Sequence, residues 1–273
     1  KDSLDKLHGN ISFTSKGLAR NQAAMTDLMQ ESISAARFDE LARLRELVAQ
    51  IRTYRESSIT GNGHVLAMTA AASGISANAN LSQRWSGMAG LSLLKALDRS
   101  LDNEEELARL SAQLQEIHQL VLAQPRQYLL VAEAERLEGF AAVMQSGFSG
   151  GAVSTAVDNL ISYNPELQPV KHAFIANTQV SFCAKAYPTV PTGHPDSAAL
   201  TVLGGVLRNG YLHRAVREQG GAYGGGASQD NQSGAFRFYS YRDPRIAGTL
   251  QDFENSIDWV QKQSLGYEKI EEA

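Results

Sequence analysis

Arg217-Glu218-Gln219-Gly220-Gly221-Ala222-Tyr223-Gly224-Gly225-Gly226 closes a long amphipathic run with an arginine, a tyrosine and five glycines. Glycine at this density ends a helix and lets the backbone come close to another group. Before it, Leu200, Leu203, Val206, Leu207 and Leu212 recur at helical spacing behind Pro195 and Asp196, so a helix is predicted from there to Arg217. After it, two segments pair across Asp230-Asn231-Gln232-Ser233-Gly234, the second being Ala235 to Tyr241, which reads as a hairpin. A further helix follows, with Asp243 as N-cap, Pro244 at its first position, and Ile246, Leu250, Phe253, Ile257 and Val260 on its buried face. Upstream, Ala176, Val180, Phe182, Ala184 and Ala186 face one way between polar residues, the pattern of a half-buried strand. Strand, helix, hairpin and helix make the C-terminal part an α+β unit.

The N-terminal part reads as mostly helical. Ile11 to Thr14 alternates as a short strand does, and residues 21 to 36 carry a weakly amphipathic helix pattern. Phe38, Leu41, Leu44, Val48 and Ile51 form the apolar face of the next helix, and Gly61-Asn62-Gly63 breaks the pattern. The Ala- and Met-rich stretch from His64 to Ala72 predicts a tightly packed internal helix, followed by another from about Leu81 to Leu101. Asp102 or Asn103 starts a helix whose buried stripe is Leu107, Leu110, Leu114, Ile117 and Val121; Pro125 ends it, and Tyr128 to Ala132 reads as a strand. Glycines and prolines between 146 and 171 interrupt any long period, so a domain boundary is expected there, dividing the chain into 1–160 and 161–273.

The 273 residues, 43% of them hydrophobic and 20% charged, suit a globular protein with a sizeable core. A formal net charge of −4 with scattered basic residues offers no footprint for nucleic acid or an acidic membrane surface. No apolar run reaches the roughly 18 residues of a spanning helix, so a soluble protein is expected. The single cysteine, Cys183, reads as a buried structural thiol and points to a reducing compartment. The chain opens on Lys1 and stops at Ile270-Glu271-Glu272-Ala273, where another helix begins, so a piece of a longer protein is expected.

His8, His64, His118, His172, His194 and His213 include no pair at helical ligand spacing, and neither H-E-x-x-H nor H-x-x-E-H occurs. A self-contained metal site is therefore not expected. The glycine run lacks the G-K-[ST] of a phosphate loop and the G-x-G-x-x-G of a dinucleotide turn, and it follows a helix rather than preceding one. No G-x-S-x-G elbow marks a serine hydrolase. Taken singly, Arg217 reads as a solvated helix-end cation, Tyr223 as a half-buried strand aromatic, and Gly220 or Gly221 as a left-handed helix cap. Taken together, a guanidinium and a phenol across one helix end form a donor cluster suited to a carbonyl oxygen and the negative charge that develops on it.

Three runs carry a resemblance: Asn177-Thr178-Gln179-Val180-Ser181-Phe182-Cys183-Ala184-Lys185-Ala186-Tyr187-Pro188, Leu203-Gly204-Gly205-Val206-Leu207-Arg208-Asn209-Gly210-Tyr211-Leu212-His213, and Arg217 to Gly226. In this order they resemble the last domain of the presequence protease branch of the pitrilysin and insulysin zinc metallopeptidases. Gly63-His64-Val65-Leu66-Ala67-Met68 and Trp85-Ser86-Gly87-Met88 resemble the family's third domain. The resemblance implies four related α/β domains in two bowl-shaped halves around a chamber that admits peptides. It also implies that zinc and the general base belong to an N-terminal half absent from this chain. The chain's two domains would then be a partial third and a partial fourth pitrilysin-like domain. It carries over Arg217 and Tyr223 as catalytic donors towards substrate, with Gly221, Ala222 and Gly224 beside them in substrate binding. Implied partners are peptide substrates and the N-terminal half of the same enzyme, in the cytoplasm or an organelle matrix, and this piece is expected to be inactive alone. A strand edge left open is expected to favour self-association, which a monomer in concentration-dependent sedimentation would contradict. The rival reading is a non-catalytic structural or substrate-docking subunit of a processing complex.

Overall fold

The computed structural model describes residues 4, 7–148, 160–264 and 266–273. Its strands are β1 (Leu7–His8), β2 (Leu160–Ile161), β3 (Ala184–Pro188), β4 (Gly224–Asp230) and β5 (Ala235–Tyr241). The α-helices are α1 (Gln22–Ser34), α2 (Leu41–Ser57), α3 (Ile59–Ala72), α4 (Ala77–Trp85), α5 (Met88–Ser100), α6 (Glu104–Ala123), α7 (Leu137–Gly147), α8 (Ser197–Leu207), α9 (Ala247–Lys262) and α10 (Tyr267–Glu271), and a π-helix (Arg208–Gln219) continues α8. The fold is α+β. Its chain forms two compact units, one of Lys1–Leu7, Gln50–Leu97 and Ile161–Ala273, the other of His8–Ala49 and Asp98–Leu160.

The first unit is built on an antiparallel sheet in the order β3-β5-β4. The hairpin closes as the sequence predicts: Asp230 Oδ1 accepts from the Gln232 and Ser233 amides at 3.1 and 3.4 Å. Gly234 takes the left-handed turn position at φ 63°. In the central strand β5, alternate residues go to opposite faces. Phe236 and Phe238 join Leu207, Leu212, Val216 and Phe253 from α8, the π-helix and α9 in the main core. On the other face, Ala235 packs with Ala72 and Ala79, and Tyr239 and Tyr241 meet the ring of His64 on α3. The packed internal helix predicted at 64–72 is α3, which runs through the predicted break with a local kink at Asn62.

The second unit is helical and more thinly buried. Leu44, Leu101 and Leu107 are its buried leucines, and polar contacts complete the packing. Ser111 donates to the Phe38 carbonyl at 2.6 Å, His118 Nε2 lies 2.7 Å from the Ile33 carbonyl, and Arg45 bridges Asp98 and Asp102. Asn103 is the N-cap of α6, accepting from the Glu105 and Glu106 amides.

Several local expectations are corrected. Residues 11–14 and 128–132 are not strands: Leu129 and Val131 are 89% and 84% exposed, and alternation makes no strand without a partner for its backbone groups. The extended stretch from 176 pairs as a strand only over Ala184–Pro188, with an isolated bridge from Ser181 to Asp243. The helix predicted over 81–101 is two helices, parted at Ser86-Gly87. The last long helix starts at Ala247, because the Asp243 carboxylate accepts from the Arg245 amide at 2.8 Å and the Thr249 hydroxyl at 2.7 Å. Ile246 and Ile117, predicted to be buried, are 59% and 51% exposed. Ser149, Gly150 and Gly151, within the predicted boundary, lie outside the described residues.

Candidate functional site

The π-helix ends at Gln219, and the chain reverses over Gly220 and Gly221. Gly221 has φ 80°, a conformation that costs little only without a side chain. Its amide donates to the Arg217 carbonyl at 3.0 Å, and the Ala222 amide to the Val216 carbonyl at 3.1 Å. Orphan carbonyls of the helix end are thereby satisfied. The turn is also buttressed from outside. Arg245, paired with Asp252 at 2.8 Å, donates to the Ala215 carbonyl at 3.3 Å, and its guanidinium occupies the place a Gly220 side chain would need.

The turn leads straight into β4. The Tyr223 amide donates to the Tyr241 carbonyl at 3.0 Å, and Gly224 pairs with Tyr241. Gly225 lies so close to the π-helix that an added Cβ would be 2.8 Å from Val216 Cγ1. Close helix–strand packing therefore accounts for part of the glycine run that a helix cap alone leaves unexplained.

These bonds have a chemical consequence. The amides of Gly221, Ala222 and Tyr223 are all committed within the chain, so the donors this turn can present are side chains. Arg217 stands exposed on the last turn of the π-helix. Tyr223 is 71% exposed, its ring edge-on to Tyr241 with centroids 5.9 Å apart, and no described residue takes its hydroxyl. A guanidinium and a phenolic O–H held at one helix end are complementary to a carbonyl oxygen gaining negative charge. Ala222 is buried, and Gly224 opens the strand beside the pair.

Two comparisons bear on this arrangement. A family model for a peptidase-associated domain matches residues 1–97, and one described as "PreP C-terminal domain" matches residues 171–271. Proteins named "Presequence protease, mitochondrial" are similar along the whole chain. The one from Danio rerio is 31% identical over 100% of this chain, the one from Yarrowia lipolytica 29% over 99%, and the one from Xenopus laevis 29% over 99%. This chain belongs to the presequence protease family. It spans 28%, 27% and 29% of the length of those three relatives, matching their C-terminal part.

The run Arg217 to Gly226 lies within the matched residues 171–271, and the structure adds residues that the sequence did not single out. Arg245 supports the turn from the loop before α9, and the capping geometry around Asp243 holds that loop. Tyr241, which backs Tyr223, is itself packed edge-on against His64 at 4.9 Å. Burial pushes the His64 imidazole below its usual 6.5. His213 and Glu218 flank Arg217 on the π-helix. The glycine-rich stretch points to the turn, but nothing local in the sequence identifies partners brought in from α3 or from the loop after β5. Cys183 fits the structural reading: it is buried, its thiol lies 3.6 Å from the Arg245 carbonyl, and burial raises its pKa. Among the described residues no three of His, Cys, Asp and Glu gather as metal ligands. No helix among them is long and apolar enough to cross a membrane.

Proposed function

We propose that this chain is the substrate-holding C-terminal part of a zinc peptidase that degrades peptides in a closed chamber. In this reading residues 1–160 form a partial third and residues 161–273 a partial fourth pitrilysin-like domain. The family membership supports a peptidase, and the observation that carries the reading is the turn at 217–224. There the backbone donors are consumed internally while Arg217 and Tyr223 project outward.

Arg217 donates N–H to the carbonyl of the bond to be cut, and the Tyr223 hydroxyl donates to the same oxygen. Both bonds strengthen as charge accumulates there, and that differential strengthening is what lowers the barrier. Gly221 and Gly224 supply the close, featureless backbone that lets a peptide approach the pair, and Ala222, buried in the core, holds the turn from beneath. Zinc and the base that activates water belong to the rest of the longer enzyme, which is also this segment's partner. Its compartment is aqueous, the cytosol or an organelle matrix, in keeping with relatives named mitochondrial. By itself the segment is inactive.

The test is peptide turnover by the zinc-loaded full-length enzyme. Arg217→Ala is expected to lower kcat by about 100-fold with unfolding unchanged, the usual scale for one oxyanion donor. Turnover equal to that of the native enzyme would overturn the role, and no turnover by the native enzyme would move the reading to a structural or substrate-docking subunit.

A further inference from the structure

Arg217 is a long, exposed side chain, and such a group is a poor catalyst unless something fixes its direction. Rotamer freedom must otherwise be lost at the moment of reaction. The structure supplies a restraint. Arg217 Nη1 lies 3.3 Å from His213 Nε2, and His213 Nδ1 lies 3.4 Å from Glu218 Oε1. All three side chains project from the π-helix Arg208–Gln219.

The winding of that helix makes the set possible. In a π-helix the hydrogen bonds run to i+5, so one turn holds between four and five residues, and both i+4 and i+5 stack over residue i. His213 therefore lies under Arg217 and Glu218 together. In an α-helix only i+3 and i+4 share a face, and Glu218 would turn away from His213.

The proton inventory is self-consistent. Arginine has only donors, so Nε2 of the imidazole must accept from Arg217. The other nitrogen then carries the hydrogen, and the Glu218 carboxylate lies on that side of the ring at ion-pair distance. A carboxylate holding one nitrogen so that the other faces its partner in a fixed tautomer is a common way of orienting an imidazole.

We infer that His213, anchored by Glu218, is a positioning residue that aims the Arg217 guanidinium at the substrate carbonyl. The inference rests on the reading of Arg217 as an oxyanion donor and deepens it. Glu218 and His213 touch no reacting atom; they act through Arg217 alone.

Two measurements test it. The first needs no turnover: long-range nitrogen–proton correlation spectra of the imidazole in this chain at pH 8. The Nδ1–H tautomer is expected, and Glu218→Ala should release it to a mixture of tautomers. An Nε2–H tautomer in the native chain would overturn the arrangement. The second is peptide turnover by the zinc-loaded full-length enzyme. His213→Ala is expected to lower kcat roughly tenfold, less than loss of the donor itself, with KM within about twofold of native. His213→Gln, which keeps an acceptor within reach of Arg217, should recover most of kcat, whereas a merely structural histidine would leave both variants equally impaired or equally normal. If Arg217→Ala is slow and His213→Ala is not, the positioning role alone fails. If Arg217→Ala is as fast as native, the donor reading fails and the positioning role with it.

Discussion

The sheet-based unit and the helical unit hold themselves together by different means. Around β5, Phe238, Phe253, Leu207, Leu212 and Val216 are almost wholly removed from water, and Asp243 and Thr249 are buried there as a hydrogen-bonded pair. In the helical unit, Leu44, Leu101, Leu107 and Phe148 are buried, beside single polar bonds and exposed ion pairs such as Arg37–Asp39 and Arg43–Glu46. Exposed ion pairs contribute little, so the second unit depends on fewer residues. The proposed donors, Arg217 and Tyr223, stand on the first unit.

That contrast should be visible in core truncations. Phe253→Ala is expected to cost about 4 kcal/mol, near the middle of the range for a fully buried aromatic. Leu107→Ala, at a site with more solvent nearby, should cost about 2 kcal/mol. Denaturant unfolding followed by amide exchange in each unit would check both, and equal losses would erase the distinction.

Glycines sharpen the comparison with smaller effects of opposite sign. Gly221→Val forces a branched side chain into φ 80° and is expected to destabilise by roughly 2–3 kcal/mol. Gly139, in α7 of the helical unit, has nothing within 4 Å of where its side chain would begin. Gly139→Ala should therefore stabilise by about 0.5–1 kcal/mol through helix propensity alone. Thermal melts of the two variants would decide, and a stable Gly221→Val protein would remove the strained turn from the account.

The smallest effect expected is on pH. Because burial lowers the His64 pKa, the unfolded chain binds its proton first as pH falls below about 6.5. Stability contributed by the neutral imidazole is present above that value and is lost as pH falls through the folded pKa. His64→Gln should flatten this part of the urea midpoint profile between pH 7.5 and 5.5, and an unchanged slope would contradict the burial effect.

How much of this was legible in the sequence followed the range of the forces involved. The hairpin was readable because Asp230 and Gly234 act on their own turn, and α6 because Asn103 caps the next few amides. The stretches at 11–14 and 128–132 have strand-like alternation but lack a neighbour, and no local pattern states whether one will arrive. Asp243 reads as a capping residue, yet its carboxylate binds Arg245 and Thr249 and delays the helix to Ala247. At the candidate site, Arg217 and Tyr223 were visible through their motif. The π-helical winding beneath Arg217 was not, because a shift from i+4 to i+5 bonding leaves the apolar pattern of Val206, Leu212 and Val216 readable as an ordinary helix.

The most direct test of the central claim is Tyr223→Phe in the zinc-loaded full-length enzyme. The substitution keeps the ring that packs on Tyr241 and removes only an exposed hydroxyl that no described residue uses. If that hydroxyl stabilises developing charge on the substrate, kcat falls by about 100-fold while KM and the melting temperature stay near native values. A Tyr223→Phe enzyme with native kcat would show that the turn at 217–224 does not supply the oxyanion donor.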